Sequence, residues 1–328
     1  MRVYRDEDAD PELIRSRRVA VIGYGNQGRA QALNLRDSGV AVTVALPSAS
    51  ASRARAAEDG FDVMTAAESV AGADLAVILA ADEDQARIYR SEIAPNLREG
   101  AALCFAHGLN VHFGLIAPRA DLDVFLVAPK GPGTALRADY LSGSGLIALF
   151  AVAQDASGAA RGLALSYGAA IGSGRVGMLE TSFAEECEAD LFNEQAVLWG
   201  AIPELIHAGF ETLVEAGFSP EIAYFECLTE VKLIADLIYE RGIAGMREAI
   251  SNTAELGALK GGRRIIGADA RTEMRRILRE VRAGHFTRDL IADAEAGYPL
   301  LDASRREAAA HPIEAVRARL KALEAGAR

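Results

Sequence analysis

The segment Gly23-Tyr24-Gly25-Asn26-Gln27-Gly28 constrains this chain more than any other. It has the spacing GxGxxG. It follows the apolar run Val19–Ile22 (VAVI) directly and opens a helical pattern that continues to Arg36. In that context the first glycine permits a tight turn, the second admits a pyrophosphate to the backbone, and the third lets helix pack on strand. Free N–H groups and the positive end of the helix dipole then face the phosphates. A purely structural turn is the alternative, and the strand–turn–helix context favours the nucleotide.

Further short β-branched or apolar runs follow at Val40–Leu46, Leu75–Leu79, Ala101–Phe105 and Val124–Val127, separated by helical patterns. Such alternation predicts βαβ units and a parallel sheet covered on both faces. From about Thr181 the texture changes to apolar residues at helical spacing, in Asp190–Phe210, Thr212–Glu215, Glu221–Glu240, Thr272–Ala283 and Pro312–Glu324. Asp302–Ala309, polar and alanine-rich, reads as a loop. The expected organisation is an α/β dinucleotide-binding domain over residues 1–181 and an all-α domain over 182–328. A length of 328 residues suits two domains at ~150 residues each.

Composition removes several function classes. Lys and Arg total 35 against 46 Asp and Glu, a net charge of -11 that repels nucleic-acid backbones. The 3 cysteines, Cys104, Cys187 and Cys227, are widely spaced and form no CxxC, so neither a disulfide framework nor a zinc ribbon is expected. The first residues lack the apolar core of a signal peptide, and no apolar run approaches the ~20 residues of a membrane span. A soluble, cytoplasmic protein is expected.

An NAD site usually presents an acid about 20 residues past the glycines, for the ribose hydroxyls. Here the second strand ends in Val44-Ala45-Leu46, followed by Pro47, Ser48, Ser50, Ser52, Arg53 and Arg55. Three hydroxyls and two guanidinium groups suit a 2′-phosphate, which favours NADP(H), with NAD(H) also possible. A Ser-rich solvated loop is the alternative.

Asp190 and Glu194 are four residues apart, as are Glu226 and Glu230, so each pair falls on one face of a helix. Apolar neighbours surround both pairs (Leu191, Phe192, Val197, Leu198 and Trp199; IAYFECLTEVKLIADLIY). Carboxylates in an apolar setting are costly to desolvate, and a divalent cation such as Mg²⁺ would offset that cost. A solvated acidic face remains equally open from spacing alone.

Taken together, the motifs resemble the class I (short-chain) ketol-acid reductoisomerases over nearly the whole chain. The resemblance is carried by VIGYGNQG, ALNLRDSG, FAHGLNVHFG, DVFLVAPKGPG, ETSFAEECEADLFNEQAVL, AGFETLVEAGFSPEIAYFECL and GIAGMREAISNTAE. It implies an N-terminal Rossmann domain and a knotted helical C-terminal domain, in a homodimer whose active sites are shared. It implies two Mg²⁺ ions on Asp190, Glu194, Glu226 and Glu230, with Asp190 bridging. His107 and Lys130 match catalytic positions, with Glu230, through water, as the base, and Ser251 matches the substrate-binding serine. Tyr24–Gln27, Asp82, Glu83, Asp84, Gln85 and Gly133 match cofactor contacts, and Ser48, Ser50 and Ser52 match the 2′-phosphate site. The implied reaction is alkyl migration in a 2-hydroxy-3-ketoacid of the 2-acetolactate type, then reduction by NADPH to a 2,3-dihydroxy acid for branched-chain amino acid biosynthesis. Arg29, Gln31, Pro47, Ala81, Thr134, Trp199, Thr229 and Leu256 depart from the usual family residues. Pro47 removes a basic partner for the 2′-phosphate. Trp199 and Thr229, close to metal positions, leave room for a paralogue acting on another acyloin. An idle nucleotide-binding relative is the non-enzymatic alternative.

Overall fold

The computed structural model describes residues 2–326. Contacts divide the chain into two compact units, Met1–Ala189 and Asp190–Arg328, and the division falls within the helix Phe183–Asn193. The first unit therefore includes the start of that helix. Phe183 and Cys187, on the first turns of that helix, are buried.

The first unit is built on nine strands: β1 (Val3–Tyr4), β2 (Arg18–Ile22), β3 (Ala41–Ala45), β4 (Val63–Met64), β5 (Leu75–Ile78), β6 (Ala102–Phe105), β7 (Asp123–Pro129), β8 (Ala148–Gln154) and β9 (Met178–Glu180). Their order across the sheet is β1-β9-β8-β7-β6-β5-β2-β3-β4. The stretch from β4 to β7 is parallel throughout. β8 then returns antiparallel to β7, with β9 parallel beside it and β1 antiparallel at the edge. All five strand runs expected from the sequence are present.

The continuous apolar runs follow from burial on both faces. Along β2, Val19 and Val21 enter one core cluster while Ala20 and Ile22 enter the other, and β5 divides Leu75 and Val77 from Ala76 and Ile78 in the same way. Successive side chains of a strand point to opposite faces, so a sheet covered on both sides has no polar position to alternate with. Strand order reverses between β2 and β5. The carboxyl ends of two such strands open the crevice where doubly wound sheets bind ligands.

The second unit is helical. Its described core joins the helices Ala201–Glu215, Pro220–Tyr224 and Pro312–Gly326 through Phe210, Ala223, Ile313 and Val316. Helix Glu230–Ala249, by contrast, exposes Leu233, Ile234, Tyr239 and Ile243. The segment expected as a loop at Asp302–Ala309 lies instead in the helix Pro299–Ala310. Proline at its first position, an alanine-rich sequence and the Asp302–Arg305 pair one turn apart explain the correction. Its polarity reflects an exposed surface, not a break in the helix. Among the described residues no helix is long and apolar enough to cross a membrane.

Candidate active site

The glycine turn sits at the carboxyl end of β2, and each glycine has a separate physical reason. Gly23 has φ +102°, and a methyl there would meet the Leu79 carbonyl oxygen at 2.6 Å and the Ala80 nitrogen at 2.7 Å. Gly28 packs against the Gly23 carbonyl, so a side chain there would collide with backbone. Gly25, at the N-cap of helix Asn26–Asp37, has nothing within 4 Å of the position a methyl would take. Open space at the middle glycine, beside helix N–H groups with no side-chain cap, is the shape a pyrophosphate requires.

The neighbouring positions expected to contact the cofactor divide into two groups. Asn26 Oδ1 accepts from the Gly133 amide, and Gln27 Nε2 donates to the Gly131 carbonyl at 2.9 Å, so the turn is tied to the loop after β7. Gln31, one of the departures, extends this chain inward: it donates to Gln27 and accepts from Tyr167 at 2.6 Å. Tyr24 is buried, and its hydroxyl donates to Asp59 Oδ2 at 2.8 Å. Asp59 is also clamped by Arg29 at 2.7 and 2.9 Å. Tyr24 thus contributes backbone to the turn while its ring braces the fold.

At the loop after β3, the structure corrects one expectation. Arg53 does not stand ready for a 2′-phosphate. Its guanidinium donates to the Leu46 carbonyl at 2.8 Å and the Val63 carbonyl at 2.9 Å, closing the ends of β3 and β4. Ser50 accepts from the Ser52 amide at 3.3 Å. Ser48, Ser50, Ser52 and the exposed Arg55 remain at the surface of this loop or partly so. Asp82, Glu83 and Asp84 open the helix Asp82–Ile88 after β5, and Asp84 pairs with Arg87 at 2.6 Å.

His107 and Lys130 come from the loops after β6 and β7, and one carboxylate joins them. Glu186 is 1% exposed. Its Oε2 lies 3.1 Å from His107 Nδ1 and accepts from the Gly108 amide at 2.9 Å, while Oε1 accepts from Lys130 Nζ at 2.9 Å. Burial opposes a charge on His107, but contacts with Cys187 and Glu186 and the charges of Glu186 and Asp82 outweigh it, holding its pKa well above the ordinary imidazole value. Burial likewise opposes the Glu186 carboxylate, and His107 and Lys130 reverse that, keeping it ionised. Glu186 was not among the residues expected from sequence. One signal for it exists. A side chain on Gly108 would lie 2.5 Å from the Phe183 carbonyl oxygen, so glycine is what lets helix Phe183–Asn193 approach.

Asp190 follows Glu186 by one turn on that helix, and with His107 these residues supply the imidazole and carboxylate donors that suit a divalent cation. Glu194 opens a π-helical turn, Glu194–Leu198, and Glu226 lies in a second one, Phe225–Thr229, that delivers Glu230 at its end. Both carboxylate pairs therefore meet a widened turn, not the regular α-helix expected from their spacing. Such π turns occur frequently at functional sites. Glu226 and Glu230 are exposed, as are Leu233 and Phe225 near them, so the apolar sequence around this pair does not bury it within one chain. Ser251 caps helix Asn252–Ile265, accepting from the Ala254 amide at 3.2 Å, and is exposed too.

Fold and donor set define a dinucleotide-dependent oxidoreductase with acidic residues for a divalent cation. Comparison with known proteins makes this specific. Residues 13–177 match the family model described as acetohydroxy acid isomeroreductase, NADPH-binding domain, and residues 183–325 match ketol-acid reductoisomerase, C-terminal domain. The chain belongs to the ketol-acid reductoisomerase family. The structure of an NADH-preferring ketol-acid reductoisomerase from an uncultured archean is 44% identical, with a TM-score of 0.95, over 98% of this chain and 99% of that one. A semialdehyde dehydrogenase NAD-binding protein from Cupriavidus necator, in complex with calcium and NAD, shares the fold at 18% identity and a TM-score of 0.61, over 81% of this chain and 99% of that one. Pyrroline carboxylate reductase from Plasmodium falciparum does so at 14% identity and 0.52, over 82% and 98%.

Proposed function

We propose that this enzyme performs the ketol-acid reductoisomerase reaction on a 2-hydroxy-3-ketoacid of the 2-acetolactate type, at an active site assembled from two copies of the chain. The observation that carries this is the linkage of His107, Lys130 and the helix of Asp190 through the buried Glu186, at the carboxyl edge of a dinucleotide-binding sheet. In this proposal Asp190 and Glu194 of one copy, with Glu226 and Glu230 of the other, would hold two Mg²⁺ ions. The exposure of Glu226, Glu230 and Ser251, together with the bare apolar side chains of helix Glu230–Ala249, supports a second copy as the missing half. The helical domain is proposed to be knotted, as in the family, and the enzyme to be cytoplasmic.

When bound, the metal pair supplies Lewis acidity at the hydroxyl and ketone oxygens, and the nicotinamide supplies a hydride. Glu230, through water, removes the substrate hydroxyl proton. Ser251 Oγ, at the N-terminus of its helix, binds the substrate carboxylate, where the free amides of that terminus favour negative charge. Lys130 Nζ and the His107 imidazole, both held by Glu186, place positive charge beside the reacting oxygens and keep it fixed as the alkyl group migrates. The glycine turn fixes the dinucleotide, and Gly25 leaves room for its pyrophosphate.

The adenosine end discriminates weakly between the two dinucleotides. With Arg53 committed to the Leu46 and Val63 carbonyls and Pro47 in place of a base, a 2′-phosphate meets only hydroxyls and Arg55. The NADH preference of the archaeal relative agrees with this. The test is dinucleotide oxidation with 2-acetolactate and Mg²⁺. Turnover with both NADPH and NADH is expected, with kcat/KM values within about tenfold, the worth of one charge-assisted contact. Absence of Mg²⁺-dependent turnover with either dinucleotide contradicts the proposal.

A further inference from the structure

Two buried amides, Asn110 and Gln85, lie beside the glycine turn, and Asn110 has been given no role so far. Asn110 stands three residues after His107, in the short helix Leu109–His112, and is 1% exposed. Its Nδ2 donates to the Asp82 carbonyl at 2.8 Å and to Gln85 Oε1 at 3.2 Å. Gln85 in turn donates through Nε2 to the Ala80 carbonyl and to Asp82 Oδ1, both at 2.9 Å. Asn110 Oδ1 has no partner among the described residues. The side chain is therefore held for its donor end, which joins two oxygens of one loop.

That loop is a wall of the dinucleotide crevice. It leaves the carboxyl end of β5, across the point where strand order reverses from β2, and its Leu79 carbonyl and Ala80 nitrogen touch the space above Gly23. The Ala80 and Asp82 carbonyls, which precede and open the helix Asp82–Ile88, take their bonds from these amides. We propose that Asn110 is a positioning residue for the cofactor: it fixes the Leu79–Gln85 loop against the glycine turn and couples that loop to the one bearing His107. The proposal rests on the assignment of the glycine turn as a dinucleotide site. An amide is required because one nitrogen must serve two oxygens. An isosteric carboxylate would set an oxygen against both.

The experiment compares Asn110→Ala and Asn110→Asp with the wild-type enzyme. Dissociation constants for NADPH and NADH are measured by titration calorimetry without ketoacid, and KM and kcat at saturating Mg²⁺. Loss of the donor is expected to raise the dinucleotide Kd and KM about tenfold in Asn110→Ala, and further in Asn110→Asp, on the usual cost of orphaned buried acceptors. The KM for 2-acetolactate and the Mg²⁺ dependence should move less than twofold. A folded Asn110→Asp with unchanged dinucleotide affinity overturns the proposal. So does a parallel loss of affinity for all three ligands, which marks a general structural role. Should Asn110→Asp lack a cooperative melt, Asn110→Ala and Asn110→Ser decide by the same criteria. Failure of the wild-type enzyme to bind either dinucleotide is a different result: it removes the assignment of the glycine turn itself.

Discussion

Alanine substitutions at Gly25 and Gly28 should separate cofactor binding from folding within a single turn. At Gly25 the backbone (φ -78°, ψ -155°) is open to any L-residue, and a methyl would meet nothing within 4 Å. Folding stability should change by less than about 1 kcal/mol, the range for a small change at a helix N-cap. The methyl does occupy the space left for the pyrophosphate, and displacement of the phosphates from the helix amides should weaken dinucleotide binding at least about tenfold, or 1.4 kcal/mol. At Gly28 a methyl would stand 2.9 Å from the Gly23 carbonyl carbon and closer still to its oxygen, both backbone atoms that cannot swing aside. Overpacking of this kind costs about 1–3 kcal/mol, and more where the neighbour cannot yield. Urea denaturation and titration calorimetry on the two variants provide the assay. The expected pattern is Gly25→Ala stable but weak in binding, and Gly28→Ala destabilised. Full-affinity binding by Gly25→Ala would refute the role given to the turn.

Glu186→Gln should lower kcat by more than about tenfold with little change in dinucleotide affinity, and should destabilise the metal-free protein by about 3–5 kcal/mol, because His107 and Lys130 lose their shared counter-charge. Kinetics and chemical denaturation check the two effects separately. Asp59 gives a pH prediction. The Arg29 guanidinium, then the Tyr24 hydroxyl, hold its carboxyl below the ordinary range against the opposing effect of burial. Its contribution to stability is thus full above the ordinary carboxylate value, near 3.9, and is lost as pH falls through the lowered folded-state value. Asp59→Asn should reduce the unfolding free energy from urea denaturation at pH 6 by about 1 kcal/mol, and the stability-against-pH curves of variant and wild type should converge in acid. Curves that stay parallel to pH 3 contradict the assignment.

The central strands were legible because their residues are buried on both faces, which leaves runs such as Leu75–Ile78 without polar interruption. β8 escaped notice although it is seven residues long, because only part of it is buried, and β1, β4 and β9 are too short to show a pattern. The glycine turn was legible in the tight approach at Gly23 and the close packing at Gly28, since both depend on a local backbone path. Arg53 was not. A long side chain beside a phosphate loop suggests an anion, and only the fold shows that the carbonyls of Leu46 and Val63 lie within its reach. Glu186 was hidden among the acids of AEECEAD, because its burial depends on Gly108 in another segment. The π turns at Glu194–Leu198 and Phe225–Thr229 leave no mark in apolar periodicity, so helical spacing located the carboxylates without giving their direction.

The claim on which the enzyme's chemistry depends is that Asp190 and Glu194 of one copy serve the same metals as Glu226 and Glu230 of another. Co-expression of Asp190→Asn and Glu226→Gln chains with different tags, followed by two-step purification of the mixed dimer, tests it directly. Each variant alone should be inactive. The mixed dimer holds one site with both native halves and one with neither, so it should show about half the wild-type turnover per dimer. A mixed dimer as inactive as its parents would mean that all four carboxylates act within a single chain, and the shared site would have to be abandoned.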